Sequence, residues 1–130
     1  MKFMVRNRHN NQVIAEGDTE TLKDLLEANK MNLADADLHK IDVFAADFKG
    51  GNLKGADLRG SSLHSCDFRD ADLSGCDLRS ADLKNADLRH VNLTDTLLEW
   101  TNLRGADLAD VVTNKQDEIL KCLGIREPGQ

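Results

Sequence analysis

The sequence predicts an all-β solenoid, a chain that coils around its own core, on three observations. An apolar residue recurs every five positions from Leu33, Leu38, Val43 and Phe48 through to Leu108, and thirteen of these sixteen centres are Leu. Two residues before each centre stands a mostly small side chain, such as Ala36, Gly51, Ser61, Cys66 or Thr96, with Met31, Ile41 and Val91 as larger exceptions. Directly before each centre comes Asp ten times and Asn four times, with Ser62 and Leu97 as the departures.

A period of five fits neither regular element. On an α-helix a step of five turns by about 140°, which scatters the centres around every face. On a flat strand an odd step alternates sides and sends half of them to water. All centres point inward only if the chain turns a corner every five residues. An internal repeat of this kind takes precedence over helix or strand assignments.

Units such as Ala56-Asp57-Leu58-Arg59-Gly60, Ala81-Asp82-Leu83-Lys84-Asn85 and Ala106-Asp107-Leu108-Ala109-Asp110 give the pattern A-[DN]-L-x-x. Over residues 31–112 the sequence closely resembles the pentapeptide-repeat family. That resemblance implies a right-handed quadrilateral β-helix with four units, or twenty residues, per coil, hence about four coils. The sequence lends its own support to a twenty-residue period: Phe48 and Phe68 are twenty apart, and Asn32, Asn52 and Asn92 fall in one column. Coils spaced like neighbouring strands make a rod of roughly 19 Å.

Each position then has a role. Leu or Phe fills the axis, and the small residue beside it leaves room for the bulky group of the next face. The Asp or Asn before the centre is expected to accept hydrogen bonds from nearby backbone N–H groups, as short polar side chains do in turns.

Both ends of a solenoid need covering. Residues 1–30 read as an N-terminal cap. Lys2 to Arg8 and Gln12 to Glu16 form β-prone runs joined by His9-Asn10-Asn11, a hairpin pattern. Thr21 is a helix N-cap with Asp24 near the positive end, and Leu22, Leu25 and Leu26 make one apolar stripe. This leader resembles those of other pentapeptide-repeat proteins. Residues 113–130 read as a C-terminal capping helix and tail. A helix near 115–123 has Asn114 as its expected cap, Ile119, Leu120 and Leu123 as its buried stripe, and Gly124 as its stop. The remaining tail, Arg126 to Gln130, reads as loose.

Composition narrows the function classes. The chain has 130 residues and a formal net charge of −6, against the basic stripe that a phosphate-binding surface needs. Residues 31–112 hold 15 acids and 9 bases, and the ends hold 8 of each, so the acid excess lies on the coils. No apolar run suits a signal peptide or a membrane span, and Cys66, Cys76 and Cys122 are an odd set, so free thiols in the cytoplasm are expected. The ten-residue gap between Cys66 and Cys76 is not a zinc spacing, and neither EF-hand nor calcium-solenoid patterns occur.

Straight walls offer no concave catalytic site. His9, His39, His64 and His90 fall on different walls or on the cap, and no nucleophile motif or phosphate-binding glycine loop is present. The expectation is no enzyme activity, no cofactor and no metal. A rigid interaction or structural module with an unidentified protein partner is the leading reading, without direct nucleic-acid or membrane binding. The alternative comes from the resemblance: some relatives confer quinolone resistance, which implies a negatively charged DNA mimic that engages DNA gyrase or topoisomerase IV. Against it, basic residues follow many centres and a rod of about 19 Å spans only about 5–6 base pairs.

Three large apolar residues break the rule for exposed slots: Leu97, Trp100 and Phe44. They are the candidate interaction surface, Trp being a favoured interface anchor. The C-terminal helix is expected to fold over Leu97 and Trp100, which gives a monomer. If that helix covers only the axis, the two side chains stay exposed and offer half of a two-fold contact between chains.

Overall fold

Every fifth residue from Asp35 to Asp110 has a φ between 55° and 75° in the structure, a computed structural model that describes residues 1–124. Each is the third residue of a four-residue turn. In the first, the Leu33 carbonyl accepts from the Ala36 N–H at 3.1 Å, and Asp35 has φ 58°. A positive φ at the third position alone is the geometry of a type II turn. Four such turns bring the chain back to its starting wall after twenty residues.

Between turns the backbone is extended for little more than the residue before each centre. The coils are therefore joined by single parallel bridges twenty residues apart, Asp37↔Asp57, Asp57↔Asp77 and Asp77↔Leu97 on one wall, rather than by long strands. The other walls repeat this, for example Asp47↔Asp67↔Asp87↔Asp107. The structure is thus a β-helical solenoid with a twenty-residue period.

The centres fill the axis. All are buried except Leu108, at the unfinished C-terminal end, which is half-buried. Phe48 and Phe68 stack with ring centroids 5.0 Å apart and planes at 9°. The small slot also points inward, but Met31 is 59% exposed because it belongs to a 3-10 turn, Lys30–Asn32, that precedes the first coil. Polar occupants of this slot are satisfied from the coil below. Ser61 Oγ donates to the Leu38 carbonyl at 2.7 Å, and Thr101 Oγ1 to the Leu78 carbonyl at 2.7 Å.

The expected Asp and Asn role is present along the walls. The carboxylate or amide oxygen accepts from the N–H two residues on, as at Asp47–Lys49 (2.9 Å), Asp72–Ser74 (2.9 Å) and Asn92–Thr94 (3.0 Å).

At the start, β1 (Lys2–Arg6) and β2 (Val13–Asp18) form an antiparallel hairpin. Beyond β1 the chain continues along the first coil: Asp37 N–H donates to the Arg6 carbonyl and Arg8 N–H to the Asp35 carbonyl, both at 2.8 Å. Helix α1 (Leu22–Ala28) begins at Thr21, which closes a capping box with Asp24, and buries Leu25 and Leu26 in the common core. At the other end α2 (Gln116–Cys122) buries Ile119 and half-buries Leu120 and Leu123, and the Cys122 carbonyl accepts from the Leu103 N–H at 3.3 Å.

Asn114 does not cap α2. The residue at the cap position is Lys115, without a side-chain bond, because the Asn114 amide turns down to the preceding coil. There it exchanges two hydrogen bonds with Asp95, at 2.9 and 2.8 Å. Gly124 does end the helix, with φ 76° and its N–H on the Lys121 carbonyl. The expected loose tail, Arg126 to Gln130, lies outside the described residues. Among the described residues no helix is long and apolar enough to cross a membrane.

Candidate interaction surface

Two walls carry ladders of aspartate and arginine. Each arginine folds back two residues onto its own aspartate: Arg59 on Asp57 (2.9 and 2.7 Å), Arg69 on Asp67 (2.9 and 2.7 Å), Arg79 on Asp77 (2.8 and 2.6 Å), Arg89 on Asp87 (2.9 and 2.7 Å). Three of them also reach the aspartate one coil above: Arg59 to Asp77 at 3.7 Å, Arg69 to Asp87 at 3.6 Å and Arg89 to Asp107 at 3.8 Å.

The arginine hydrogen bonds hold the Asp57, Asp67 and Asp87 carboxyls below the usual carboxylate range. At Asp77 burial pulls the other way, but the Arg79 bonds and charge outweigh it and the carboxyl is again lowered. Paired in this way, the acid excess read from composition is not a bare negative stripe.

On the wall of Asp37, Asp57 and Asp77 the ladder stops at Leu97. Arg79 meets a leucine above it where the other three arginines meet a carboxylate. Leu97 is 45% exposed. Three residues on, at the corner, Trp100 is 87% exposed with φ 62°. Left-handed backbone is uncommon for a bulky residue and costs about 1–2 kcal/mol relative to the ordinary regions. Glycine, which pays no such penalty, occupies the equivalent slot at 50, 55, 60, 75 and 105, and alanine or polar residues share the same positive φ at ten others, such as Ala45, Ser65 and Asn85.

Helix α2 runs beside this corner rather than over it. Between them is a groove of about 740 Å³, with Glu99, Trp100 and Arg104 on the coil side and Glu118, Lys121 and Cys122 on the helix side. The expectation that the helix shields Leu97 and Trp100 is therefore corrected. The reason is register: the Cys122 thiol donates to the Leu98 carbonyl at 3.3 Å and its own carbonyl accepts from Leu103, which ties the helix end over the axis.

Phe44 is 64% exposed and sits edge-on to His64, with centroids 6.2 Å apart. The bridges Asp42↔Ser62↔Asp82↔Asn102 place it three coils below Arg104, so it does not join the Leu97–Trp100 surface. The groove itself had no signal in the periodicity, since it depends on where α2 lands. The fifth slot otherwise holds glycine, alanine or polar residues, and that pattern was the signal that marks Trp100 as the odd occupant of its corner.

Three ligand-type atoms converge at Asp37, His39 and Asp57. Both Asp57 oxygens already accept from Arg59, so a guanidinium occupies the place a cation would take. The three thiols are free; Cys66 and Cys76 are buried and donate to the Val43 and Leu53 carbonyls.

Sequence comparison with curated proteins finds no match. Among solved structures, the fold is similar to QnrB1, a plasmid-mediated fluoroquinolone resistance protein, at TM-score 0.56 and 24% identity, covering 70% of this chain and 45% of that one. A pentapeptide-repeat protein of the Arabidopsis thaliana thylakoid lumen matches at 31% identity and TM-score 0.37 over 66% of this chain and 74% of that one. HetL of the cyanobacterium Nostoc, a pentapeptide-repeat protein involved in heterocyst differentiation regulation, matches at 33% identity and TM-score 0.30 over 55% and 35%. The chain thus spans less than half the length of QnrB1 or HetL. The family profile described as pentapeptide repeats matches eight copies over residues 44–79 and 81–111, just over half of the sequence. With the five-residue turns and twenty-residue bridges already in place, the chain belongs to the pentapeptide-repeat family.

Proposed function

We propose that this protein is a non-catalytic interaction module that presents Leu97 and Trp100 on a rigid wall to a protein partner. The observation that carries this reading is Trp100: an indole almost wholly in water, held in a backbone conformation that disfavours it. Glycine takes five of the other fifteen corners, and alanine or polar residues with the same positive φ take the remaining ten, so among these corners the indole is the one large apolar side chain. A large apolar side chain kept in water on strained backbone is retained where a contact needs it. Pentapeptide-repeat proteins are generally structural or interaction modules, which supports the non-catalytic part.

The proposal extends to the organisation: an N-terminal cap at residues 1–30, a right-handed quadrilateral helix of about four coils at 31–112, and a capping segment from 113. Four turns per twenty residues support the square section, and free thiols support a cytoplasmic site of action. Phe44 remains a secondary contact candidate near the N-terminal end.

A second reading is the DNA mimic that engages a topoisomerase. The acid excess on the coils and the fold shared with a fluoroquinolone resistance protein favour it. The Asp–Arg ladders weigh against it, because they neutralise two walls. One experiment separates the two. Wild type and Trp100→Gly are immobilised and used to capture partners, and both are added to a gyrase supercoiling assay. A specific partner lost with Trp100→Gly, and unchanged supercoiling, is the expected result. Salt-sensitive inhibition of supercoiling by both proteins would put the mimic first.

A further inference from the structure

We infer that the partner of the Leu97–Trp100 surface is a second copy of this chain, in a two-fold contact that seats each Trp100 in the other's groove beside α2. The inference rests on the proposed interaction surface and names its occupant. Each chain offers both halves of such a contact: a protruding indole and, next to it, an open groove of about 740 Å³.

Charge points the same way. The chain as a whole carries −6, so two copies repel wherever the acid excess is unpaired. The groove rim is an exception, with two acids, Glu99 and Glu118, and two bases, Arg104 and Lys121. None of these four side chains is in an ion pair among the described residues. Glu99 lies in the field of Arg79, whose guanidinium is already held by Asp77. A locally neutral rim with one acid and one base on each side can be self-complementary under a two-fold axis, which an isologous contact requires.

The geometry also fixes the pairing. Glu99 adjoins Trp100, so an indole entering the partner's groove carries Glu99 towards α2 of that chain. The cation there is Lys121. The reciprocal contact follows by symmetry, and removal of two exposed indoles from water supplies the favourable term. The patch is small, so the dimer is weak and concentration-dependent.

The test is sedimentation velocity of the full chain over a wide concentration range, with the emission of its single Trp followed in parallel. Self-association is expected, with emission moving to the blue as it proceeds. Trp100→Gly should weaken it by about tenfold or more. Glu99→Lys alone and Lys121→Glu alone should each be monomeric, since each sets like charges against each other at both contacts. Mixing the two variants should restore association, because every Glu99–Lys121 contact then joins opposite charges. Both substitutions are at exposed sites, and unchanged circular dichroism verifies that the variants fold. A chain that stays monomeric with a red-shifted, freely quenched indole would overturn this inference, while the capture experiment above still judges the interaction surface. A dimer that survives Trp100→Gly, or a mixture that fails to associate, would overturn it as well.

Discussion

Leu97 bridges to Asp77 from the coil above, and at that bridge the aspartate column of its wall ends. On the equivalent steps Asp77 stands 3.7 Å from Arg59, Asp87 3.6 Å from Arg69 and Asp107 3.8 Å from Arg89. Arg79 alone among the four has a leucine there. The fold supplies a ready partner for a carboxylate at this position, so the leucine is not what the ladder asks for.

Leu97→Asp should therefore be tolerated. The side chain is 45% exposed, so the apolar burial lost is partial, and an exposed ion pair with Arg79 returns a little. We expect a change in unfolding free energy of no more than about 1 kcal/mol, measured by denaturant melts. The same variant should lose partner binding. A loss of several kcal/mol would mean that Leu97 serves the core rather than the surface.

The ladders also set the acid limit. Asp57, Asp67, Asp77 and Asp87 all have folded carboxyls below their unfolded values. A depressed pKa contributes stability that is fully present above the unfolded value, near 4, and is lost as pH falls through the folded one. Stability should be flat through neutral pH and fall only in acid. Arg79→Ala should bring that fall to higher pH and cost about 1–3 kcal/mol at neutral pH, because it strips the two guanidinium hydrogen bonds from a carboxylate only 2% exposed and leaves it the backbone N–H of residue 79. Arg69→Ala should cost less, since Asp67 is 29% exposed. Melts of the two variants across pH check the order; equal losses would count against the role of burial.

The coil was legible because every unit repeats one instruction: an apolar centre, a small neighbour and a polar cap on the next turn. Sixteen agreeing copies leave no alternative geometry, and Phe48 over Phe68 shows that even the twenty-residue stacking was readable. The ends were less so. Asn114 has the chemistry of a helix cap, but Asp95 one coil below competes for its amide and wins. The fate of Trp100 was not readable at all, because it depends on how α2 is tied down at Leu98 and Leu103. Periodicity carries no information about a segment that occurs once.

Thiol chemistry tests the inward slot. Burial pushes the Cys66 thiol up to about 11 and the Cys76 thiol up to about 12, so neither forms appreciable thiolate at neutral or mildly basic pH. Cys122 is raised too, by burial first, but is half-exposed beside the groove. Labelling with a water-soluble disulfide reagent should modify at most one cysteine in the native protein and three after denaturation. Rapid native reaction of Cys66 or Cys76 would contradict the packing.

The most direct consequence of the corner geometry concerns Trp100 itself. At φ 62° the tryptophan is in left-handed backbone, where glycine carries no Cβ penalty. Its side chain is 87% exposed, so little packing is lost when it is removed. Trp100→Gly should therefore stabilise the isolated chain, by about 1 kcal/mol after the entropic cost of the added glycine. That corresponds to a rise of a few degrees in melting temperature. The opposite substitution at a neighbouring corner provides the control. Gly105 has φ 75°, where a Cβ is strained and would also meet the Asn85 side-chain oxygen, so Gly105→Ala should destabilise by a similar amount. Differential scanning calorimetry at low concentration, where chains are dilute, reads both. A variant that is more stable but binds less marks Trp100 as a residue kept for contact, at the expense of the fold. If Trp100→Gly instead melts several degrees lower, the indole packs against the chain, and the groove beside α2 is the place it fills.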